Sequence, residues 1–343
     1  FAPGIAVLAD YRRSDFPHDL AAGLSVTAVA VPMAVANAQL AGLAPATGLY
    51  ASMLPLVAYA LFGTSRHLMV GPSAAAAAIV AAAAAPLAAG DAARYYALVT
   101  AVTFIAGVLC IGASFLRVGA IADFLSKPIL IGFLNGVGIS VVLSQIGILF
   151  GFSLAGSGIV PRALEFAGNL PQTHWPTLLV GLGTIAMLVV WPRLVPRVPA
   201  ALVAMVAAGA VVSALGLANL GVSTIGPVSG GWPAPRLPSF AWSELPLLVA
   251  EAAGLSLVLF STLMINARSF AARHGYDVDA DREMAALGAA NLASALTQGF
   301  AVNGTSSRTA VGEAAGGRTQ AAGIVSAVAA AVILLAFTWP LQF

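Results

Sequence analysis

The stretch AVNGTSSRTAVGEAAGG, Ala301 to Gly317, decides how this chain folds, because it places polar residues and an arginine between two long apolar runs. Around it, the 343-residue chain is 60% hydrophobic and only 8% charged. A soluble domain of this length does not tolerate that composition. The chain is therefore predicted to be an all-α polytopic membrane protein, with Arg308 inside one of its membrane segments.

Stretches without charged residues place the membrane segments. A spanning helix needs about 20 apolar residues, and breaks such as Gly42-Leu43-Ala44-Pro45 indicate loops between helices. The eleven predicted segments are 20–40, 48–63, 72–89, 95–116, 126–150, 173–192, 199–217, 246–266, 284–300, 305–316 and 319–337.

Basic residues fall unequally on the two sides of these segments. One side receives only Arg94, Arg162 and Arg236. The other receives Arg12, Arg13, Arg66, Arg117, Lys127, Arg193, Arg197, Arg268, Arg273, Arg282 and Arg318. This asymmetry predicts a multi-pass protein of the cell (inner or plasma) membrane with a cytoplasmic N-terminus. The charged group from 268 to 283 is interpreted as a solvated cytoplasmic loop, and Arg308 belongs to neither side.

Two pairs of segments indicate an internal repeat. AAGLSVTAVAVPMAVA at Ala21 matches AAGLSLVLFSTLMINA at Ala252 with an offset of 231, and VGPSA at Val70 matches NGTSS at Asn303 with an offset of 233. Seven predicted segments separate the matched copies, so the second copy enters the membrane from the opposite face. An inverted repeat of this kind is typical of secondary transporters.

The third and tenth segments are too short to cross the bilayer. Ser73 to Ala85 and Thr305 to Ala315 would rise about 20 Å and 17 Å, against a hydrocarbon core of about 30 Å. Two half-helices entering from opposite faces would point unpaired N–H groups and positive dipole ends at each other, which makes an anion site. Arg308 would add a full positive charge there. The alternative is that Arg308 only pairs with a carboxylate such as Glu313 or Glu251.

Three motifs resemble those of a known family. VPMAVANAQLAGLAPATGLYASMLP at Val31, FGTSRHLMVGPSAA at Phe62 and NGTSSRTAVGEAAGGRTQAAG at Asn303 are similar to the first-, third- and tenth-helix signatures of the SulP anion transporters, also called the solute carrier 26 family. The resemblance covers essentially the whole chain. It implies a seven-plus-seven inverted-repeat transporter fold with a core and a gate domain, a cytoplasmic STAS domain, and a homodimer in the complete protein.

This resemblance also implies a domain organisation. Residues 1–343 would form the transmembrane domain, with the core (transport) domain at 19–116 and 246–337 and part of the gate domain at 126–217. Residues 338–343 would begin the remaining gate segments. Because the sequence ends there, those C-terminal segments and the STAS domain are expected to be missing from this chain.

Carried over position by position, the resemblance implies the substrate-binding residues and the coupling residues. Thr262 takes the place where many members carry an acid, so the identity of the coupling ion stays open. Gln39 is a further candidate that could face either the cavity or a neighbouring helix. The substrate-binding candidates are Met33, Asn37, Gln39, Ser73, Ala74, Thr305, Ser306, Ser307 and Arg308, and the coupling candidates are Glu251, Thr262 and Glu313.

Departures from the family pattern bear on the substrate. Met33 replaces the glutamine of many members, and Asn37, Ser73 and Ser306 stand where several chloride-handling members have aromatic rings. Small polar groups enlarge the pocket and add hydrogen-bond donors, which favours an oxyanion or a carboxylate over chloride. The expected function is secondary active transport of a carboxylate or dicarboxylate, sulfate or bicarbonate, by proton- or sodium-coupled symport with elevator-like alternating access. The alternatives are a nucleobase-type transporter of the same fold and an anion channel or exchanger.

Other classes of function are disfavoured. No Gly-x-Ser-x-Gly elbow, His-Glu-x-x-His helix or pair of aspartates lies within a predicted segment, so no enzyme is expected. The single cysteine, Cys110, excludes a disulfide framework. We expect no cofactor, no metal and no nucleic-acid partner, and we expect the lipid bilayer, a small anion and a coupling proton or sodium ion as partners.

Overall fold

The computed structural model describes residues 4–5, 11–120, 127–152, 154, 159–195, 200–224 and 231–336. The predicted start of the remaining gate segments, 338–343, lies outside the described residues. The α-helices are α1 Phe16–Leu40, α2 Pro45–Tyr50, α3 Leu54–Phe62, α4 Ala74–Ala88, α5 Ala92–Phe115, α6 Lys127–Phe150, α7 Ile159–Asn169, α8 Trp175–Leu194, α9 Ala200–Ala214, α10 Leu245–His274, α11 Ala280–Leu296, α12 Ser306–Ala314 and α13 Ala321–Ala336. The strands are β1 Val70–Pro72 and β2 Val302–Gly304, and short 3-10 turns lie at Arg13–Asp15, Val118–Ala120, Leu170–Gln172, Leu217–Leu220 and Trp242–Glu244.

The chain divides into two compact units. The first consists of Phe1–Leu130 and Gly230–Ala336, and the second of Ile131–Ser229 and Phe337–Phe343. Both strands and the two short helices that follow them, α4 and α12, belong to the first unit. All the predicted substrate-binding and coupling residues therefore lie in that unit.

Several described helices are long and apolar enough to cross a membrane. They are Arg13–Leu40, Pro45–Phe62 (which contains α2 and α3), Ala92–Phe115, Trp175–Leu194 and Trp242–His274. Helix α8 exposes apolar residues such as Leu179 and Ile185, which a bilayer would cover. The prediction of an all-α polytopic membrane protein agrees with these helices.

Three helices differ from the predicted segments. The segment predicted at 48–63 is two helices, because Pro55 lies in the first turn of α3 and cannot continue α2. Helix α10 runs past the predicted end at 266 until Gly275, whose φ of 68° terminates it in the left-handed conformation. The amphipathic helix α7 lies between two predicted segments, where no helix was predicted.

Helices of the first unit pack closely through small residues. At the crossing of α5 and α11, a Cβ added to Gly107 would lie 2.9 Å from the Gly288 carbonyl oxygen, and a Cβ added to Gly288 would lie 2.7 Å from the Gly107 carbonyl oxygen. Neither position has room for a larger side chain. Close backbone approach of this kind is how membrane helices gain packing energy when lipid already satisfies their apolar surface.

Glu283 corrects the interpretation of 268–283 as a solvated loop. Its side chain is fully buried in α11 and accepts hydrogen bonds from the Tyr59 hydroxyl at 2.6 Å and from the Thr64 hydroxyl at 2.6 Å. The backbone N–H groups of Thr64 and Ser65 donate to it at 2.7 and 2.9 Å. Four donors compensate the desolvation of the carboxylate, so Glu283 anchors the loop before β1 to α11.

Candidate functional site

The centre of the first unit is a short antiparallel pair of strands. Residues Val70, Gly71 and Pro72 of β1 lie opposite Gly304, Asn303 and Val302 of β2. Each strand runs directly into a short helix, α4 after β1 and α12 after β2. Each half of the repeat contributes one strand, and the antiparallel pairing agrees with an inverted repeat. The strands themselves were not predicted from the sequence.

Both helices begin directly after a buried strand of this pair. Helix α4 rises about 22 Å over its residues and α12 about 13 Å, so neither crosses the bilayer. Their N-termini follow opposite ends of one three-residue ladder, about 7 Å apart along the strands. Each N-terminus carries N–H groups without a partner in its own helix and the positive end of a helix dipole.

The two N-termini are capped differently. The Ser73 hydroxyl accepts a hydrogen bond from the Ala76 N–H at 3.2 Å, which caps α4. Thr305 stands at the same place before α12 but makes no side-chain cap. Its hydroxyl and its N–H both donate to the Met69 carbonyl, at 3.2 and 2.9 Å. The first turn of α12 therefore keeps more of its donors available than the first turn of α4.

Arg308 lies in the first turn of α12 and is completely buried, with 0% of its surface exposed. One nitrogen, Nη2, donates to the Pro72 carbonyl at 3.3 Å. The other two, Nε and Nη1, have no hydrogen-bond partner among the described residues. A buried guanidinium with unused donors is costly unless an acceptor reaches it or a negative charge lies close by.

Gly71 is the residue that makes room for this guanidinium. A Cβ at Gly71 would lie 1.7 Å from Arg308 Nη1 and 2.8 Å from Cζ. The guanidinium therefore lies directly against the backbone of β1. Any larger residue at this position would displace the charge.

The alternative role predicted for Arg308, an ion pair with Glu313 or Glu251, is absent among the described residues. Glu313 at the last turn of α12 instead binds His274 Nε2 at 2.8 Å and lies 3.5 Å from Arg273 Nη1. Glu251 lies in the second turn of α10. The positive charge of Arg308 is thus not neutralised by a carboxylate of the described residues.

The other predicted substrate-binding residues lie at varied depths around the strand pair. Ala74, Ser306 and Ser307, at the starts of the two half-helices, are exposed, and Ser73 is half-buried. On α1, Met33 is half-buried and Gln39 is exposed. Thr305 and Asn37 are buried. Their part in binding an anion stays a prediction.

Asn37 and the coupling candidate Thr262 both make internal hydrogen bonds. Asn37 uses its side-chain N–H₂ to donate to the Pro72 carbonyl at 3.0 Å. The Thr262 hydroxyl donates to the Val258 carbonyl of its own helix at 2.8 Å. Neither group needs a ligand to be satisfied in this conformation.

Sequence reasoning missed three residues that shape the site. Gly71 accommodates the guanidinium, Asn266 donates from its side chain to the Gly304 carbonyl at 2.8 Å, and the Thr309 hydroxyl accepts from the Met69 N–H at 2.9 Å. Gly71 and Thr309 lie inside the quoted motifs, so the motifs contained a signal for them. Nothing in the sequence separated Asn266 from other polar residues of its helix.

Comparison with known proteins identifies the family to which the chain belongs. The model of the "Sulfate permease family" matches residues 16–343. A relative in Mycobacterium tuberculosis, named as a probable sulfate transporter, is 39% identical over 337 residues, which cover 98% of this chain and 60% of the relative. Human solute carrier family 26 member 6 is 31% identical over 342 residues, covering 92% of this chain and 45% of the relative. The chain therefore spans 60% or less of the length of these curated relatives.

Solved structures agree with the fold. A structure of SLC26A9 superposes with a TM-score of 0.92 at 25% identity, covering 99% of this chain and 57% of that chain. The transmembrane domain of the cyanobacterial bicarbonate transporter BicA superposes with a TM-score of 0.88 at 23% identity, covering 97% of this chain and 86% of that one. These likenesses confirm the predicted fold class, an all-α transporter fold with a seven-plus-seven inverted repeat.

Proposed function

The chain belongs to the sulfate permease family, and on that premise we propose that it is the membrane part of a secondary transporter for a small oxyanion or carboxylate. The named relatives are transporters, of sulfate in Mycobacterium and of bicarbonate in the cyanobacterium. Transport of this kind is binding and release without bond breaking. The bound anion would lie between the N-termini of α4 and α12.

The burial of Arg308 is the observation that carries this proposal. Its guanidinium is fully shielded, keeps Nε and Nη1 without a partner among the described residues, and pairs with no carboxylate there. In a low-dielectric interior an uncompensated positive charge attracts an anion strongly. Helix dipoles of the same sign act in the same direction.

The exposed groups beside Arg308 would make the direct contacts. Ser306 and Ser307 offer hydroxyls and first-turn N–H groups at the open side of α12, whereas α4 offers the Ser73 hydroxyl and the backbone N–H of Ala74. Arg308 would act from behind them, at a distance where an opposite charge is still felt. Hydroxyls and N–H groups can bind several oxygens of one anion at once, which favours sulfate, bicarbonate or a carboxylate over chloride.

We also propose how the anion crosses the membrane. The first unit, as the core domain, would carry the bound anion past the second unit, as the gate domain, in elevator-like alternating access driven by a proton or sodium gradient. Support comes from the strand pair, because the Thr305 hydroxyl donates to the Met69 carbonyl and the Met69 N–H donates to the Thr309 hydroxyl, which ties the two half-helices into one body. Glu251, Thr262 and Glu313 remain the candidates for coupling.

The alternative functions, a nucleobase-type transporter and an anion channel or exchanger, predict different site residues or different transport behaviour. A nucleobase-type site would offer carboxylates to a neutral ring, whereas the described residues at the strand pair offer a guanidinium and hydroxyls. A channel of the same fold would not accumulate an anion against its electrochemical gradient, and an exchanger would accumulate one only when a counter-anion is present inside the vesicles. Accumulation driven by a proton or sodium gradient, with no counter-anion inside, therefore separates the symporter from both.

Uptake into proteoliposomes tests the proposal. The panel is labelled sulfate, bicarbonate, fumarate, succinate and chloride, each with and without a proton or sodium gradient. Arg308→Ala is compared with Arg282→Ala, which removes a largely exposed arginine of the same unit. Accumulation of an oxyanion or carboxylate that Arg308→Ala abolishes and Arg282→Ala retains supports the proposal. Uptake that both variants retain, or no uptake of any anion, contradicts it.

A further inference from the structure

Two asparagines make the same contact in the two halves of the repeat. Asn37 of α1 donates from Nδ2 to the Pro72 carbonyl at 3.0 Å, and Asn266 of α10 donates from Nδ2 to the Gly304 carbonyl at 2.8 Å. Pro72 and Gly304 are the last residues of β1 and β2. Helices α1 and α10 contain the two sequence segments that match each other in the repeat, although the offset of 231 does not pair the two asparagines, and their equivalence lies in the contacts that they make.

Each of these carbonyls belongs to the peptide group that starts a half-helix. A peptide group is planar, so the carbonyl of Pro72 and the N–H of Ser73 lie in one plane and point in opposite directions. Holding the carbonyl therefore fixes the direction of the N–H and the entry of the chain into α4. The same holds for the peptide group between Gly304 and Thr305 at the start of α12.

The positions of these side chains agree with a positioning role. Asn37 is only 7% exposed, and its donor group is directed at a backbone carbonyl rather than at solvent. Asn266 is half-buried and makes the equivalent bond. A buried carbonyl that loses its donor is costly, so each amide restrains the backbone that it contacts.

We propose that Asn37 and Asn266 are matched positioning residues, which hold the first peptide group of each half-helix in the orientation that the anion site needs. This inference rests on the proposed function of that site. It also replaces the direct substrate contact predicted for Asn37 from the family resemblance.

The two contacts are not equal in consequence. The Pro72 carbonyl accepts both from Asn37 Nδ2 and from Arg308 Nη2, the latter at 3.3 Å, so Asn37 positions the oxygen that the guanidinium contacts. Loss of Asn37 therefore disturbs the first peptide group of α4 and the guanidinium together. At the other end, the Thr305 N–H already donates to the Met69 carbonyl at 2.9 Å, so this peptide group keeps a second restraint. Asn37→Ala should therefore have the larger effect.

The experiment measures KM and Vmax for uptake in proteoliposomes, using sulfate and, in parallel, fumarate. Asn37→Ala, Asn37→Asp and Asn266→Ala are compared with Asn219→Ala, an exposed asparagine of the second unit. Arg308→Ala serves as the control for the proposed function. Anion-induced stabilisation of the detergent-solubilised protein against heat provides a second readout that does not depend on the transport cycle.

Loss of one such hydrogen bond is expected to raise KM about tenfold for Asn37→Ala and about threefold for Asn266→Ala, with Vmax within about twofold of the parent. Asn37→Asp has nearly the same shape but removes the donor and adds a negative charge near Arg308, so its KM should exceed that of Asn37→Ala. Heat stabilisation by the anion should fall in the same order. Asn219→Ala should match the parent.

The outcomes separate the two proposals. If Arg308→Ala abolishes uptake while both asparagine variants keep the parent KM, or lose only Vmax and protein yield, the positioning role is wrong and the anion site stands. If the parent neither transports nor is stabilised by any anion of the panel, the proposed function is wrong and the inference fails with it.

Discussion

Helices α4 and α12 occupy matching places in the two halves of the repeat, yet they differ in almost every side chain near their N-termini. Helix α4 begins with a run of alanines behind a Ser73 cap that uses the Ala76 N–H. Helix α12 begins with two exposed serines and the buried Arg308, and Thr305 leaves it uncapped. The two halves share the strand pair and the helix that follows each strand, but under the proposed function α12 supplies the positive charge and most of the free donors.

Among the variants that test this asymmetry, Arg308→Ala is expected to have the largest effect on uptake. Without the guanidinium, both half-helices offer only dipoles and neutral donors, and we expect kcat/KM for anion uptake to fall by at least about 100-fold. Arg308→Lys keeps the charge but not the planar fork, and should lose less. Uptake kinetics in proteoliposomes check both. An Arg308→Ala variant with parental kinetics would remove the difference between the two helices on which this account depends.

The next largest effect should come from Gly71→Ala, which acts on Arg308 from the opposite half of the repeat. The new Cβ would lie 1.7 Å from Nη1, so the guanidinium must move out of its place against β1. We expect kcat/KM for uptake to fall by about 10- to 100-fold, which corresponds to the loss of one or two hydrogen bonds to a charged group.

Gly112→Ala is the matched control for Gly71→Ala, because an added Cβ meets open space at that position of α5. It should transport like the parent. If Gly71→Ala also transports like the parent, β1 does not constrain Arg308, and the close contact between Gly71 and the guanidinium does not affect transport.

Moving the charge between the halves tests how far the symmetry extends. The offset of 233 that aligns the two sequence motifs pairs Ala75 of α4 with Arg308 of α12, whereas counting from the cap residues Ser73 and Thr305 pairs Arg308 with the next residue, Ala76. The test is the Arg308→Ala/Ala75→Arg double variant. In it, the new arginine would have to lie against Gly304 of β2, as Arg308 lies against Gly71 of β1. The Leu68 side chain already occupies that space, since it would lie 2.8 Å from a Cβ added at Gly304. We expect this variant to recover no more than about a tenth of parental uptake, since Leu68 blocks the place.

Recovery of full uptake by the double variant would show that the two half-helices are interchangeable. The side-chain asymmetry would then be incidental. Uptake kinetics and protein yield, measured beside Arg308→Ala alone, decide between these outcomes.

The smallest effects should come from the caps. Ser73→Ala removes the capping oxygen of α4 and should cost about 1 kcal/mol of stability. Thr305→Val removes a hydroxyl that does not cap α12, while the Thr305 N–H keeps its bond to the Met69 carbonyl. Thermal unfolding should therefore shift more for Ser73→Ala than for Thr305→Val. The reverse order would contradict the assignment of the caps.

Much of this site follows from local sequence. The two short segments, the inverted repeat and the position of Arg308 in a half-helix come from patterns within a few residues or from one internal alignment. The predicted end of the third segment before Pro86 was wrong, since α4 continues through Pro86 to Ala88. The fold class is confirmed. The predictions missed the helix ends at Tyr50 and His274. Pro55 requires a new helix after Tyr50, and Gly275 ends α10 after His274.

The remaining features depend on contacts between residues far apart in the chain. The guanidinium of Arg308 in α12 lies against Gly71 in β1, and the bond from Asn37 in α1 ends on the Pro72 carbonyl in β1. The burial of Glu283 depends on donors from Tyr59, Thr64 and Ser65. Residue type and spacing do not encode such pairs, so the sequence suggested a solvated loop for Glu283 and gave no sign of the bond between Asn37 and Pro72.

One measurement tests the central claim most directly, namely the location of a bound anion in crystals of the protein soaked with selenate, whose selenium is identified by anomalous scattering. The account predicts a single strong site about 3 Å from a hydroxyl or N–H of Ser306 or Ser307 and about 5 Å from the Arg308 guanidinium, which is lost in Arg308→Ala crystals. A selenate bound away from α4 and α12, or one that persists unchanged without Arg308, would contradict it.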